Sequence, residues 1–174
     1  MSGVVIDDPL EVAICRILAV DGAAGVTRLM KLLYLAELEH VHRSGRPLTG
    51  AVFINYDYGP FCRSAYEAME RLAARGVVRE VRHITRGGHL CRLQHAVADK
   101  MQLVDPTSHA RDVIDQTVRR WRDASLDEVV GEAKASAPFR ESSYGEELDL
   151  GAGAPPPFSR PSDIDRDALL PDFI

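Results

Sequence analysis

Histidine and cysteine are the residue types in this 174-residue chain with which a metal site could be built. His40 and His42 are two positions apart on a predicted helix, and that spacing points them to different faces. His89 and Cys91 can share one face of a predicted strand, but no second ligand pair accompanies them, and a structural zinc ion needs four ligands. The three cysteines lack the paired spacing of a disulfide framework. The sequence therefore predicts no metal site.

The sequence also lacks a nucleophile elbow, a phosphate-binding glycine loop and a metalloprotease motif. Gly87 and Gly88 lie between two predicted strands, so they predict a hairpin turn. Glu67 and Glu70 share a predicted helix with Arg71, an arrangement typical of a solvated helix face. We therefore expect a protein that acts by binding another macromolecule, without catalysis and without a cofactor.

A cluster of arginines is the main concentration of charge in the middle of the chain. Between residues 71 and 92 only Glu80 opposes the basic side chains Arg71, Arg75, Arg79, Arg82, Arg86 and Arg92. From Arg75 onward these residues predict a patch for nucleic acid or for an acidic protein partner, and a solvated hairpin is the alternative. The net charge of −5 weighs against general affinity for nucleic acid.

Five helices are predicted from apolar residues at helical spacing. Their expected starts are Asp8-Pro9, Thr27, Pro60, Asp105-Pro106 and Ser125. The second helix, residues 27–42, is apolar almost all round, which is typical of a helix at the centre of a domain. Ser125 and Glu128 form a capping box at the start of the fifth helix, which is expected to close at Pro138.

A β-hairpin is predicted between the third and fourth helices, with strands over residues 77–84 and 89–93. The expected fold class is therefore mainly α, with about five helices, one hairpin and a winged-helix-like core. The same outline also occurs in domains that never bind DNA.

The acidity of the chain is concentrated at its C-terminal end. Residues 141–174 hold eight acidic and two basic residues, and proline and glycine are frequent after residue 149. We place a helical domain at residues 8–142 and an acidic, Pro/Gly-rich extension at residues 143–174. Apolar residues between the acids predict a segment that orders on a partner, with a frayed tail as the alternative. The partner-binding residues predicted here are Ile164, Leu169, Leu170 and Phe173.

No apolar run is long enough to cross a membrane, and Asp7 and Asp8 stand where a signal peptide would carry positive charge. We therefore expect a cytoplasmic protein without a membrane partner.

Three motifs, in order along the chain, resemble the Panacea domain family of SocA-like antitoxins. The first motif lies in the second predicted helix and consists of Lys31, Leu32, Leu33, Tyr34 and Ala36. The turn at residues 45–48 resembles the second motif. The triplet Tyr58, Gly59 and Pro60, followed by a helix that contains Tyr66, resembles the third. The resemblance covers residues 8–142, whereas the basic hairpin and the proline-rich tail depart from the family pattern.

The resemblance implies a bacterial or phage antitoxin that neutralises a co-encoded toxin by direct protein–protein binding. The implied partner is the cognate toxin, while self-association and nucleic-acid binding remain open. Tyr34 and Tyr58 are amphipathic and are the motif residues predicted to contact a partner. The other motif residues are expected to build the core. The alternative functions are a winged-helix-like DNA-binding regulator and an adaptor that delivers a partner to a protease.

Overall fold

The computed structural model describes residues 3–84, 87–104 and 106–151. The helices are α1 Pro9–Asp21, α2 Val26–Ser44, α3 Arg63–Ala74, α4 Ser108–Trp121, α5 Leu126–Ala135 and α6 Ala137–Glu141. The strands are β1 Val4–Ile6, β2 Val78–Ile84, β3 Leu90–Ala96 and β4 Met101–Leu103. The mainly helical fold with one antiparallel hairpin is confirmed, with a short sixth helix where the fifth was expected to close. No helix in these ranges has the length and apolar character needed to cross a membrane.

Two predicted helix starts are confirmed by their capping hydrogen bonds. Asp8 accepts hydrogen bonds from the backbone N–H groups of Leu10 and Glu11, each at 3.0 Å. Ser125 and Glu128 form both hydrogen bonds of the capping box. These ends are predictable because each cap satisfies orphan N–H groups within its own first turn.

Two other predicted helix starts are wrong. α3 begins at Arg63 rather than at Pro60, because Ile54 and Phe61 exchange backbone hydrogen bonds of 2.8 and 3.0 Å that keep the chain before the helix extended. α4 is capped by Thr107, whose hydroxyl accepts from the Ala110 N–H at 3.3 Å. The predicted cap, Asp105, lies outside the described residues.

The second helix lies at the centre of the domain, as its all-round apolar sequence predicted. Every residue from Leu29 to Leu38 is buried, and α2 packs against α1, α4 and α5. The largest buried side chain around it is Trp121, at the end of α4.

Buried or nearly buried carboxylates tie α1 to two neighbouring helices. Asp115 on α4 accepts hydrogen bonds of 2.7 and 2.6 Å from the guanidinium group of Arg16. Glu11 is paired with Arg71 at 3.0 Å and also with Arg75 beyond the end of α3. Charge-assisted pairs of this kind fix helix positions as well as stabilising the fold.

Short pairings outside the helices were not predicted. β1 and β4 form a parallel pair in which Val4, Val5 and Ile6 face Met101, Gln102 and Leu103. At the other end, Leu148 is buried and its N–H donates to the Phe53 carbonyl at 2.8 Å. Packed residues therefore extend on both sides of the range 8–142.

The hairpin pairs β2 with β3 from Val78 opposite Ala96 to Ile84 opposite Leu90. Its base is anchored where Gln94 exchanges backbone hydrogen bonds of 2.8 and 3.2 Å with Ala24, in the loop between α1 and α2. Towards its tip the side chains of Ile84 and Leu90 are exposed.

Candidate partner-binding site

Lys31 lies in the second turn of α2 with only 2% of its surface exposed. Its ammonium group donates a 2.8 Å hydrogen bond to the carbonyl oxygen of Pro60, so it secures the turn that precedes α3. Burial lowers the pKa of Lys31 from 10.5 to about 8, and repulsion from the neighbouring Lys134 adds to the shift. This motif lysine therefore acts inside the domain.

Tyr34, one turn further along α2, is also fully buried. Its ring packs edge-on against Phe53, with the centroids 5.1 Å apart, and its hydroxyl lies 2.7 Å from the Ser136 hydroxyl. Ser136 donates to the Ala133 carbonyl at 2.7 Å, so the Tyr34 hydroxyl is the donor in this chain of hydrogen bonds. Burial raises the pKa of Tyr34. Tyr34 thus lies in the interior and does not reach the surface.

The remaining residues of the first motif, Leu32, Leu33 and Ala36, are fully buried in the core. Glu37 follows them and is likewise buried. Its carboxylate accepts hydrogen bonds from the Leu48 N–H at 2.7 Å and from the Thr49 hydroxyl at 2.8 Å, and so holds the turn after α2. Sequence reasoning missed Glu37, although an isolated acid within an apolar helix is a detectable signal.

Gly59 is required by its position in the Tyr58-Gly59-Pro60 triplet. Its φ of +88° lies in the left-handed region, and a Cβ atom there would lie 3.2 Å from Lys31 Cε and 3.4 Å from Lys134 Cγ. Its N–H donates to the Tyr56 carbonyl at 2.9 Å, which closes a tight turn. The turn consequently rests directly on the two lysine side chains.

The outward side of this turn carries exposed aromatic rings. Tyr58 is 72% exposed and Tyr56 is 43% exposed. Tyr144 is 63% exposed, and its ring stacks on Tyr56 with the centroids 5.4 Å apart and an angle of 24° between the planes. We call Tyr56, Asp57, Tyr58 and Tyr144 the aromatic surface. The sequence singled out only Tyr58, because Tyr144 comes from a distant part of the chain.

Asn55 joins the two segments that form the aromatic surface. Its side-chain amide donates to the Ser142 carbonyl at 3.0 Å and to the Phe139 carbonyl at 3.2 Å. Its backbone carbonyl accepts from the Gly145 N–H at 2.8 Å. These hydrogen bonds place Tyr144 beside Tyr56.

The predicted arginine patch is divided by the structure. Arg75 pairs with the buried Glu11 and belongs to the contact between α1 and α3, rather than to the hairpin. Arg79, Arg82 and Arg92 are exposed on the hairpin, where Arg82 lies directly opposite Arg92. Arg86 lies outside the described residues, as do the predicted tail residues Ile164, Leu169, Leu170 and Phe173.

The histidines and cysteines meet at most in pairs in the part of the chain that the structure describes, as His40 with His109 and His83 opposite Cys91. Within these ranges no group of three His, Cys, Asp or Glu side chains is placed to hold a metal ion. His40 instead hydrogen-bonds the Arg46 carbonyl at 2.7 Å and packs its ring against His109.

Residues 29–132 match the family model described as "Antitoxin SocA-like, Panacea domain". The match covers more than half of the chain and includes the first motif on α2 and the Tyr58 turn. The chain therefore belongs to the Panacea-domain family of SocA-like antitoxins. No curated protein and no solved structure matches the chain.

Proposed function

We propose that this chain is an antitoxin that neutralises a toxin protein by binding it directly. The observation that carries the proposal is the role of the family motif in the fold. Lys31 and Tyr34 point into the interior, where Lys31 secures the turn that exposes Tyr58. A loop held in one conformation before the partner arrives loses less entropy on binding. Membership of the antitoxin family supports a toxin as that partner.

We propose that neutralisation is stoichiometric contact rather than catalysis and that it takes place in the cytoplasm. The acidic segment within residues 152–174 would add a second contact, to a basic site of the toxin. In the full-length chain, Leu169→Ser with Phe173→Ser should then weaken toxin binding at least tenfold, or about 1.4 kcal/mol. Unchanged binding would remove the segment from the interface.

Co-expression tests the proposal. The open reading frame next to the gene is expressed alone and together with this chain, each from its own foreign promoter. We expect the neighbour to stop growth and the chain to restore it. A copy of the chain's gene without a start codon is the matched control, since it supplies the same RNA without the protein. A neighbour that is harmless alone would contradict the proposal.

The fate of the toxin separates direct neutralisation from delivery to a protease. Under direct neutralisation the toxin persists in protected cells and co-purifies with this chain in a fixed ratio. Under the adaptor alternative the toxin level falls, and protection is lost in a protease-deficient host.

A DNA-binding regulator with a winged-helix-like core is the second candidate, and one observation favours it. Arg82 and Arg92 lie directly opposite each other on the exposed hairpin, where like charges repel. Arg92 lies 3.9 Å from the Glu80 carboxylate, and a bound phosphate would offset the remaining positive charge of the pair. Mobility shifts with the chain's own promoter, at two salt concentrations, test this candidate. Binding that is salt-sensitive and lost when Arg79, Arg82 and Arg92 are replaced by Glu would favour the regulator.

A further inference from the structure

We infer that the aromatic surface is the toxin-binding site and that it accepts an arginine-bearing, basic patch of the toxin. The inference rests on the proposed function and adds the location of the interface and the chemistry of the partner. Three independent properties of this surface carry it: exposed aromatic area, charge and rigidity.

The exposed aromatic area is concentrated at one place on the domain. Three tyrosine rings from two segments lie at the surface, and two of them stack on each other. Tyrosine is among the residues that contribute most to protein–protein interfaces, because it provides a large contact area with few rotatable bonds. Tyr58, at the outermost point of the turn, is the expected centre of the contact.

The charge around these rings selects the partner. The two segments that form the surface, residues 53–61 and 141–149, contain the acids Asp57, Glu141, Glu146, Glu147 and Asp149 and no basic residue, while Lys31 and Lys134 lie beneath the turn. Asp57 directly follows Tyr56, whose ring stacks on Tyr144. Desolvation, a hydrogen bond with Tyr56 and the charge of Asp57 raise the pKa of the Tyr144 hydroxyl. The acids of these two segments are exposed, and their carboxylates favour a cationic partner over nucleic acid.

Arginine fits this combination better than lysine. A guanidinium group stacks on the electron-rich face of a tyrosine ring and can pair with a carboxylate at the same time. Tyr56, Asp57 and Tyr58 are consecutive and exposed, so one arginine can use a ring and the carboxylate together. A toxin that acts on RNA or nucleotides needs basic side chains to bind its substrate. If the aromatic surface covers these side chains, the substrate can no longer reach them.

The rigidity of the surface comes from the interior. Lys31 holds Pro60, Gly59 rests on Lys31 and Lys134, and Asn55 joins the second segment to the first. Because these contacts exist in the free chain, Asp57 and the tyrosine rings are arranged before binding. The interior residues therefore hold the turn and the exposed residues contact the partner, and variants can test these two roles separately.

The test uses the full-length chain and the neighbouring toxin. Tyr58→Ala and Asp57→Arg should each weaken toxin binding at least tenfold and reduce protection in co-expression. Asp57→Arg should in addition slow association and reduce its dependence on salt. The matched controls are Tyr66→Ala and Glu67→Arg, exposed positions on α3 outside the aromatic surface, which should bind within about twofold of wild type. Unfolding followed by the fluorescence of Trp121 checks that all variants are folded.

Double-mutant cycles test whether Asp57 contacts a basic residue of the toxin. Each arginine and lysine of the toxin is replaced by Glu and combined with Asp57→Arg. At least one such pair should bind more tightly than either single variant does with its wild-type partner. If no arginine or lysine of the toxin shows a coupling energy with Asp57 in these double-mutant cycles, the proposed partner chemistry is wrong.

The remaining outcomes are distinguishable. If wild type protects and Tyr58→Ala and Asp57→Arg protect and bind equally well, the inference is overturned and the antitoxin function stands. If the neighbour is harmless or wild type gives no protection, both are overturned. If Tyr58→Ala converts the free chain from a dimer to a monomer, a second copy occupies the surface, and the inference is again overturned.

Discussion

The ammonium group of Lys31 and the carbonyl oxygen of Pro60 lie 2.8 Å apart, although the two residues are 29 positions apart in the chain. A charged group inside the domain thus fixes the backbone beneath exposed Tyr58. This arrangement makes the geometry of the aromatic surface depend on an interaction that the solvent does not reach.

The charge state of Lys31 should appear in the pH dependence of stability. Its pKa is about 8 in the folded chain and near 10.5 in the unfolded chain, so between these values the unfolded chain binds more protons and stability rises with pH. Relative to Lys31→Met, the free energy of unfolding of wild type should increase by about 2 kcal/mol from about pH 7.5 to about pH 9.5. Urea unfolding at several pH values measures this difference. A difference that does not change with pH would contradict the buried position of Lys31.

Removal of the Glu37 carboxylate should destabilise the fold strongly. Glu37→Ala leaves the N–H groups of Leu48 and Thr49 without their acceptor, at a cost of about 2–4 kcal/mol. Glu37→Gln keeps one acceptor oxygen and should fall between this variant and wild type. The control is Glu67→Ala on the exposed face of α3, expected within about 0.5 kcal/mol of wild type. Equal unfolding midpoints for Glu37→Ala and Glu67→Ala would show that the turn does not depend on Glu37.

The bidentate pair between Arg16 and Asp115 should contribute more than an ordinary surface ion pair. A double-mutant cycle with alanine at both positions should give a coupling energy of about 1–2 kcal/mol. The i,i+4 pair of Glu39 and Arg43 on α2 is the control and should give about 0.3–0.5 kcal/mol. The prediction fails if the first coupling does not exceed the second.

The three cysteines should differ in their rates of alkylation. Cys15 and Cys62 are fully buried, and burial together with the nearby Glu11 raises the pKa of Cys15 to about 12. Cys91 on the hairpin is half-buried. In the native protein a thiol reagent should therefore modify Cys91 rapidly and the other two cysteines slowly. Cys91→Ser should abolish the rapid reaction. Mass spectrometry of the labelled peptides gives the site, and rapid modification of Cys15 or Cys62 would contradict the packing of α1 and α3.

The features predicted correctly from sequence are those decided by neighbouring residues. The Asp8 cap, the capping box of Ser125 and the apolar circumference of α2 each depend on interactions within a turn or two of helix. The family resemblance also located the motif on α2 and the Tyr58 turn, although it did not separate the buried residues from the exposed ones.

The features that were missed depend on partners far away in the chain. Arg75 was assigned to the hairpin patch because it is close to it in sequence, but its partner Glu11 lies on α1. Pro60 suggested a helix start, whereas the pairing of Ile54 with Phe61 keeps that stretch extended. Tyr144 lies in a segment that composition assigned to the extension, and its hydrogen-bonded neighbours place it beside Tyr56. Local patterns contain no information about such pairings.

The turn from Tyr56 to Pro60 places three consecutive exposed side chains directly before two buried positions. Substitution at 56, 57 and 58 therefore changes what the surface recognises while Gly59, Pro60 and the lysines beneath them keep the backbone in place. A saturation library confined to these three codons would sample new binding specificities at little cost in folding free energy, so the domain can be used as a scaffold for engineered binders.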